Sequence, residues 1–120
     1  MKILMKSLGM LAALAVLVAA AAAAERHGSL AYRADTGAFG YSHDFNNPRD
    51  ADRRALQECG RGCSIVVRFK NGCGAYASAP NGAYGWGVGP TRDAAEYTAF
   101  DECDSRAPGC EIRVWGCNTR

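Results

Sequence analysis

The chain repeats itself, and that repeat limits its fold more than any other feature. Gly37-Ala38-Phe39-Gly40-Tyr41 recurs as Gly82-Ala83-Tyr84-Gly85-Trp86, an offset of 45 residues. Asp52 to Cys59 (DRRALQEC) lies over Glu96 to Cys103 (EYTAFDEC) at an offset of 44, and Cys63 to Val67 lies over Cys110 to Val114 at 47. A tandem duplication of this length folds as two similar halves, about 28–71 and 72–117, within one domain, because 120 residues are too few for two independent cores.

Each half has the same order of patterns. Two short alternating segments, Ser29 to Arg33 and Ala38 to His43, are joined by Asp35-Thr36-Gly37; their counterparts, Gly74 to Ala79 and Ala83 to Val88, are joined by Pro80-Asn81-Gly82. Both joints carry the glycine that a tight hairpin turn takes. A helix follows in each half. Asn47 supplies an N-cap with Pro48 at the first helical position, and Thr91 caps the second helix with Asp93 in its first turn. The apolar positions Ala51, Ala55, Leu56 and Cys59, and likewise Ala95, Ala99, Phe100 and Cys103, form one stripe on each helix. A β-branched run then closes each half, Ser64 to Phe69 and Glu111 to Trp115. The expectation is an α+β fold: a tandem β-β-α-β duplication with a mostly antiparallel sheet of about six strands and two helices.

The amino terminus belongs to export rather than to the fold. Lys2 and Lys6 precede an uncharged run from Ser7 to Ala24, which ends in Ala22-Ala23-Ala24, a small-residue cleavage signal. Residues 1–24 read as a cleaved signal peptide and 25–120 as the mature domain, secreted or periplasmic and without a membrane anchor. The leader carries two of the 14 basic side chains, so the mature chain balances 12 basic against 12 acidic groups. That balance excludes generic nucleic-acid binding, which needs a surplus of Lys and Arg to displace condensed counterions.

All six cysteines lie in the mature part, an even number in an oxidising compartment, which predicts three disulfides. Equivalent cysteines in a repeat play equivalent roles, so each helix end is tied to the start of the next strand: Cys59 to Cys63, and Cys103 to Cys110. Cys73 and Cys117 remain, and are expected to join the two halves. A zinc site fits poorly, because Cys59-x3-Cys63 and Cys103-x6-Cys110 lack paired short knuckles and the two histidines, His27 and His43, lie upstream. Neither a metal nor a cofactor is expected.

The motifs together resemble a family of exported bacterial domains catalogued as domain of unknown function 4189. The resemblance runs from about Gly28 to Cys117 and rests on Gly37 to Ser42, the helix ending in Cys59, Asn71-Gly72-Cys73-Gly74-Ala75, Gly82 to Gly87 and the helix ending in Cys103. It implies a small secreted or periplasmic α+β domain and brings no catalytic residues with it.

Ser42-His43-Asp44 holds the three residue types of a hydrolytic triad, but consecutive strand residues point to opposite faces and cannot form a relay together. Gly85-x-Gly87-x-Gly89 before the Thr91 cap has the look of a phosphate loop but lacks Gly-Lys-Ser/Thr, and Pro90 stands where a dinucleotide fingerprint needs Gly or Ala. Strand alternation explains these glycines better, with Tyr84, Trp86 and Val88 on the opposite face. Phe39, Tyr41, Tyr84 and Trp86 would form one contiguous aromatic surface on two related strands. Periodicity does not decide which face is covered: the preferred reading makes the ring face the core under the helices, whose small residues allow close approach to large rings, and the alternative puts the helices on the Gly-rich face and leaves the rings as a binding platform. Arg68, Arg113 and Trp115, alternating with Val67, Ile112 and Val114 on the closing strands, form a second candidate patch. The candidate binding residues are therefore Trp86, Tyr84, Tyr41, Trp115, Arg68 and Arg113, with no catalytic set. The preferred function is a non-enzymatic binding module for a protein or an envelope polymer. The alternatives are an inhibitor of an envelope-attacking enzyme or secreted effector using the turn at Asp35 to Gly37 or Pro80 to Gly82, and a small hydrolase centred on His43.

Overall fold

The computed structural model describes residues 25–119, so the expected leader lies outside the described residues. The chain forms β1 (His27–Tyr32), β2 (Phe39–Phe45), α1 (Pro48–Cys59), β3 (Ser64–Lys70), β4 (Cys73–Ser78), β5 (Tyr84–Gly89), α2 (Arg92–Asp104) and β6 (Glu111–Cys117). That is β-β-α-β twice. The hairpin turns place Gly37 at φ 75° and Gly82 at φ 90°, the left-handed conformation that glycine adopts without steric cost. Asn47 Oδ1 accepts from the backbone N–H of Asp50 at 2.9 Å, and Thr91 Oγ1 accepts from that of Ala94 at 3.1 Å, so both caps form as their residue types dictate.

The six strands are shared equally between two antiparallel sheets, ordered β2-β1-β3 and β5-β4-β6. Each half completes its own sheet when its closing strand pairs with the first strand of the hairpin. α1 lies on the outer face of the first sheet and α2 on that of the second, and the two inner faces pack together, giving four layers. β2 lies across from β6 at one side of the sandwich, and β5 lies across from β3 at the other.

Residue size sorts the layers. Leu30, Tyr32, Val67, Phe69 and Val114 fill the space between the sheets. Under α2 the core is built almost wholly from alanine and cystine: Ala75, Ala77 and Ala79 against Ala95, Ala99 and Cys103. Small side chains let the helix approach the sheet closely, and glycine takes this furthest. A Cβ on Gly40 would stand 2.2 Å from the Ala55 carbonyl oxygen, and one on Gly85 2.3 Å from that of Ala99. The helices therefore cover the glycine face. The expectation that they cover Phe39, Tyr41, Tyr84 and Trp86 is overturned, because rings there would hold the helix backbones several ångströms off the sheet. Phe100, expected on the buried stripe of its helix, is exposed for the same reason: only alanine and half-cystine fit beneath α2.

The disulfides are Cys59–Cys63, Cys103–Cys110 and Cys73–Cys117, with no free cysteine. The third does not join the halves. Cys73 opens β4 and Cys117 closes β6, and they are cross-strand partners within the second sheet. The halves are joined instead by packing between the sheets and by the C-terminal tail, where Asn118 accepts from the Asp44 N–H at 2.7 Å and donates to the Arg26 carbonyl at 3.1 Å.

Candidate functional site

The rings left outside the core stand on β2 and β5, the strands that form opposite rims of the sandwich. Phe39 and Tyr41 are each about half exposed on one rim, and Tyr84 and Trp86 on the other. They do not form one platform, because β2 and β5 belong to different sheets and do not touch. The rims are connected through the interior. Tyr32, the cross-strand partner of Phe39, packs 5.4 Å from Tyr76, which stacks 5.8 Å from Tyr84 (ring centroids). Burial pushes the Tyr76 phenol up, reinforced by the neighbouring phenols of Tyr32 and Tyr84.

The larger hollow lies where β2 faces β6. It has a volume of about 600 Å³, with Phe39, Tyr41 and His43 on one wall and Ile112, Val114 and Trp115 on the other. Arg92 and Glu96 of α2 close its outer end. The Arg92 guanidinium stacks 3.7 Å from the centroid of the Trp115 ring while donating to Glu96 at 3.1 Å, so a cation–π contact and an ion pair hold one indole face. Arg113, at the same groove, spends its donors on the chain: Nε to Ser78 Oγ at 2.9 Å, Nη2 to the Ser78 carbonyl at 3.1 Å and Nη1 to Glu111 at 3.1 Å. It braces β6 against β4.

At the opposite rim Trp86 shares a smaller hollow, about 350 Å³, with Ile65, Val66, Val67 and Arg68 of β3. Arg68 is a fork on Asp52, with bonds of 3.0 and 2.8 Å, and that carboxylate also accepts from the buried Ser29 hydroxyl at 2.5 Å. The carboxylate raises the guanidinium pKa above its ordinary value. Of the six candidate residues, Tyr41, Arg113 and Trp115 thus line one groove, while Trp86 and Arg68 line another and Tyr84 stands beside it on β5. The Arg68, Arg113 and Trp115 patch is divided between the two rims.

The divergence of neighbouring strand residues fails at the end of β2. Asp44 takes φ 63°, and this turn brings its carboxylate to 2.9 Å from His43 Nδ1. The same carboxylate accepts from the Thr119 backbone N–H at 2.9 Å and from the Thr119 hydroxyl. Thr119, together with His43, holds the Asp44 carboxyl well below the usual range, against the opposing effect of burial. Because the folded pKa is depressed, this anchor contributes stability that is full above the unfolded carboxyl pKa near 4 and is lost as pH falls below it. The difference in Tm between the wild type and Asp44→Asn is therefore expected to shrink on going from about pH 6 to about pH 3, as followed by circular dichroism. Equal differences at both pH values would remove Asp44 from the acid response. Ser42 takes no part, since its buried hydroxyl donates to the Ala51 carbonyl at 2.6 Å and accepts from the Ser29 N–H at 3.1 Å. His43 and Asp44 form an oriented pair without the serine. Among the described residues no three His, Cys, Asp or Glu side chains gather as metal ligands, and no helix is long and apolar enough to cross a membrane.

Residues 27–117, which contain both rims and all three disulfides, match the family model described as domain of unknown function (DUF4189). The chain belongs to the DUF4189 family. Among solved structures, the NMR structure of Rv1813c from Mycobacterium tuberculosis is similar, at 36% sequence identity and a TM-score of 0.56, covering 77% of this chain and 75% of that one. No curated protein matches. The DUF4189 match spans both β-β-α-β segments, so the paired rims lie within the family domain. Arg92, Glu96 and Thr119 were not among the candidate residues read from the sequence, and Ile112 stood there only as a core-like neighbour of Arg113. Periodicity marks which residues leave the core but not which elements meet across the sandwich.

Proposed function

We propose that this DUF4189 domain is an exported, non-enzymatic binding module that takes a protein or an envelope polymer in the groove between β2 and β6. The observation that supports this is aromatic surface left in the open beside a concave wall: Phe39 is 53%, Tyr41 49% and Trp115 39% exposed. Exposed rings flanked by polar groups are the usual anchors of recognition sites, contributing area at low conformational cost. The polar groups at this groove are already ordered by one another, Arg92 by Glu96 and Arg113 by Ser78, so binding need not pay to fix them. Three disulfides with no free cysteine suit an oxidising compartment, in keeping with export. The pairing of His43 with Asp44 orients an imidazole, but the adjacent serine is turned inward, and recognition uses this groove more fully than hydrolysis does.

The test is affinity capture from envelope, periplasmic and culture-medium fractions with the oxidised protein, beside Tyr41→Ala and Trp115→Ala variants whose folding is checked by circular dichroism. The expected result is a ligand retained by the wild type and weakened about tenfold or more by either substitution, the cost of removing a central aromatic anchor. A ligand held equally by all three proteins, or none at all, would count against this groove.

A further inference from the structure

Four strands form the edges of the two sheets: β2, β3, β5 and β6. Edge strands expose unpaired backbone groups, and monomeric proteins protect them with charges, prolines or bulges. Three of the four are protected in this way. β2 carries His43 and Asp44, β3 carries Arg68 and Lys70, and β6 carries Glu111 and Arg113. Each of these also has a register irregularity against its neighbour. β5 has neither. Its sequence, Tyr-Gly-Trp-Gly-Val-Gly, holds no charge and no proline, and it pairs with β4 in unbroken register.

The hairpin fixes which groups β5 leaves free. Ala79 N–H donates to the Ala83 carbonyl at 2.8 Å, so by alternation Ala77 with Gly85 and Ala75 with Gly87 exchange the ladder bonds. The backbone groups of Tyr84, Trp86 and Val88 then point away from β4. In agreement, Arg106 reaches over from the turn after α2 and donates to the Tyr84 carbonyl at 2.9 Å. The side chains of Tyr84, Trp86 and Val88 are about half exposed along the same edge. The edge is also open on both sides, with a hollow of about 450 Å³ against the α2 flank and one of about 350 Å³ against β3.

We infer that β5 is a self-association edge, and that two copies of the chain pair their β5 strands antiparallel about a twofold axis. The strand is complementary to itself. In a register centred on Trp86, Tyr84 of one copy lies opposite Val88 of the other, and the outward N–H and C=O groups find partners, the Tyr84 carbonyl accepting with the lone pair that Arg106 leaves. Self-pairing also asks for an edge without charge, because a twofold axis sets any charge near its centre against a like charge of the other copy, and β5 carries none. The product is a continuous six-stranded sheet, β6-β4-β5 followed by its twofold image. Because β2 lies at the opposite side of the sandwich, the dimer keeps both β2–β6 grooves free at its far ends and presents them as a bivalent pair.

Sedimentation equilibrium of the full-length product, expressed with its own leader and recovered oxidised, tests this without any ligand and so independently of the groove's function. The expected result is a monomer–dimer equilibrium, with the amides of Tyr84, Trp86 and Val88 becoming protected from hydrogen exchange as concentration rises. Trp86→Lys puts like charges directly across the twofold axis and is expected to weaken the dimer about tenfold or more, whereas His43→Lys on the β2 edge leaves it unchanged. The exchange pattern of the wild type decides the matter even if a variant fails to fold. A monomer at every concentration, which would leave the edge to a foreign strand, overturns the inference. So does a dimer whose protected amides lie on β2, β3 or β6.

Discussion

Gly87→Ala is expected to destabilise the domain by about 3 kcal/mol, the upper end of what forcing a group into a packed interior costs. The added Cβ would stand 2.3 Å from the Ala95 carbonyl oxygen and 2.8 Å from the Ala99 backbone nitrogen. Neither atom can rotate aside, since both belong to the α2 backbone, so the whole helix must lift. It is held at both ends, by the Thr91 cap at its start and by the Cys103–Cys110 disulfide at its finish. Lifting it would also separate Ala95 and Ala99 from Ala75 and Ala77, opening voids in a core with no large side chain to fill them. Gly82→Ala is the contrasting control. Its Cβ meets nothing within 4 Å, and only the left-handed backbone at φ 90° opposes it, a cost of about 1 kcal/mol. Urea denaturation of the two variants beside the wild type measures both. Equal losses would mean that contact between α2 and the sheet is looser than the glycine face requires.

That contact also explains how far the fold could be read from the sequence. The repeat gave the order of elements, because each half shows period-two and helical segments in the same succession, and it gave the cysteine pairing, because equivalent positions take equivalent bonds. Boundaries followed where local chemistry is decisive, as at the Asn47 and Thr91 caps. The covered face did not follow. Tyr84, Trp86 and Val88 alternate with Gly85, Gly87 and Gly89, and period two says that one row is covered without saying which. The usual preference for burying large apolar groups points to the rings, whereas close approach of a helix backbone selects the glycines. The alanine stripe of α2 held the answer: a helix that presents only Ala95, Ala99 and Cys103 to a sheet is close enough to need bare backbone beneath it.

The grooves were less legible than the fold. Tyr41, Arg113 and Trp115 are 70 or more residues apart across the two halves, or neighbours on one strand, and only the stacking of β2 over β6 brings them to one hollow. Arg68 and Arg113 attract notice in sequence as charges between core residues. In the fold they are anchored to Asp52 and Ser78, so their contribution to recognition is to shape the rims. The Ser42-His43-Asp44 relay was set aside by the rule that neighbours on a strand diverge, and for His43 and Asp44 the rule fails because the strand leaves the extended conformation at Asp44.

The Cys73→Ala/Cys117→Ala double variant is expected to lose about 4 kcal/mol, the largest effect of any disulfide here, because its loop is the longest. The bond closes a separation of 44 residues, against 4 for Cys59–Cys63 and 7 for Cys103–Cys110, for which the same chain-entropy relation gives about 2 and about 2.5 kcal/mol. The crosslink encloses nearly the whole second half, from the first residue of β4 to the last of β6, so its removal frees the unfolded chain of that half while leaving the folded ladder in place. The loss should fall on the second half first. The first half keeps its own sheet and the short Cys59–Cys63 bond, while the second depends on an alanine core that buries less apolar area per residue. Hydrogen exchange of the variant is therefore expected to show β4, β5 and α2 opening more readily than β1 and β3, by a wider margin than in the wild type. At about 5 °C per kcal/mol for a domain of this size, Tm should drop by roughly 20 °C. If the Cys59→Ala/Cys63→Ala variant instead proves the less stable, loop length does not govern the ranking, and the cost lies in freeing the end of α1 rather than in the entropy of the second half.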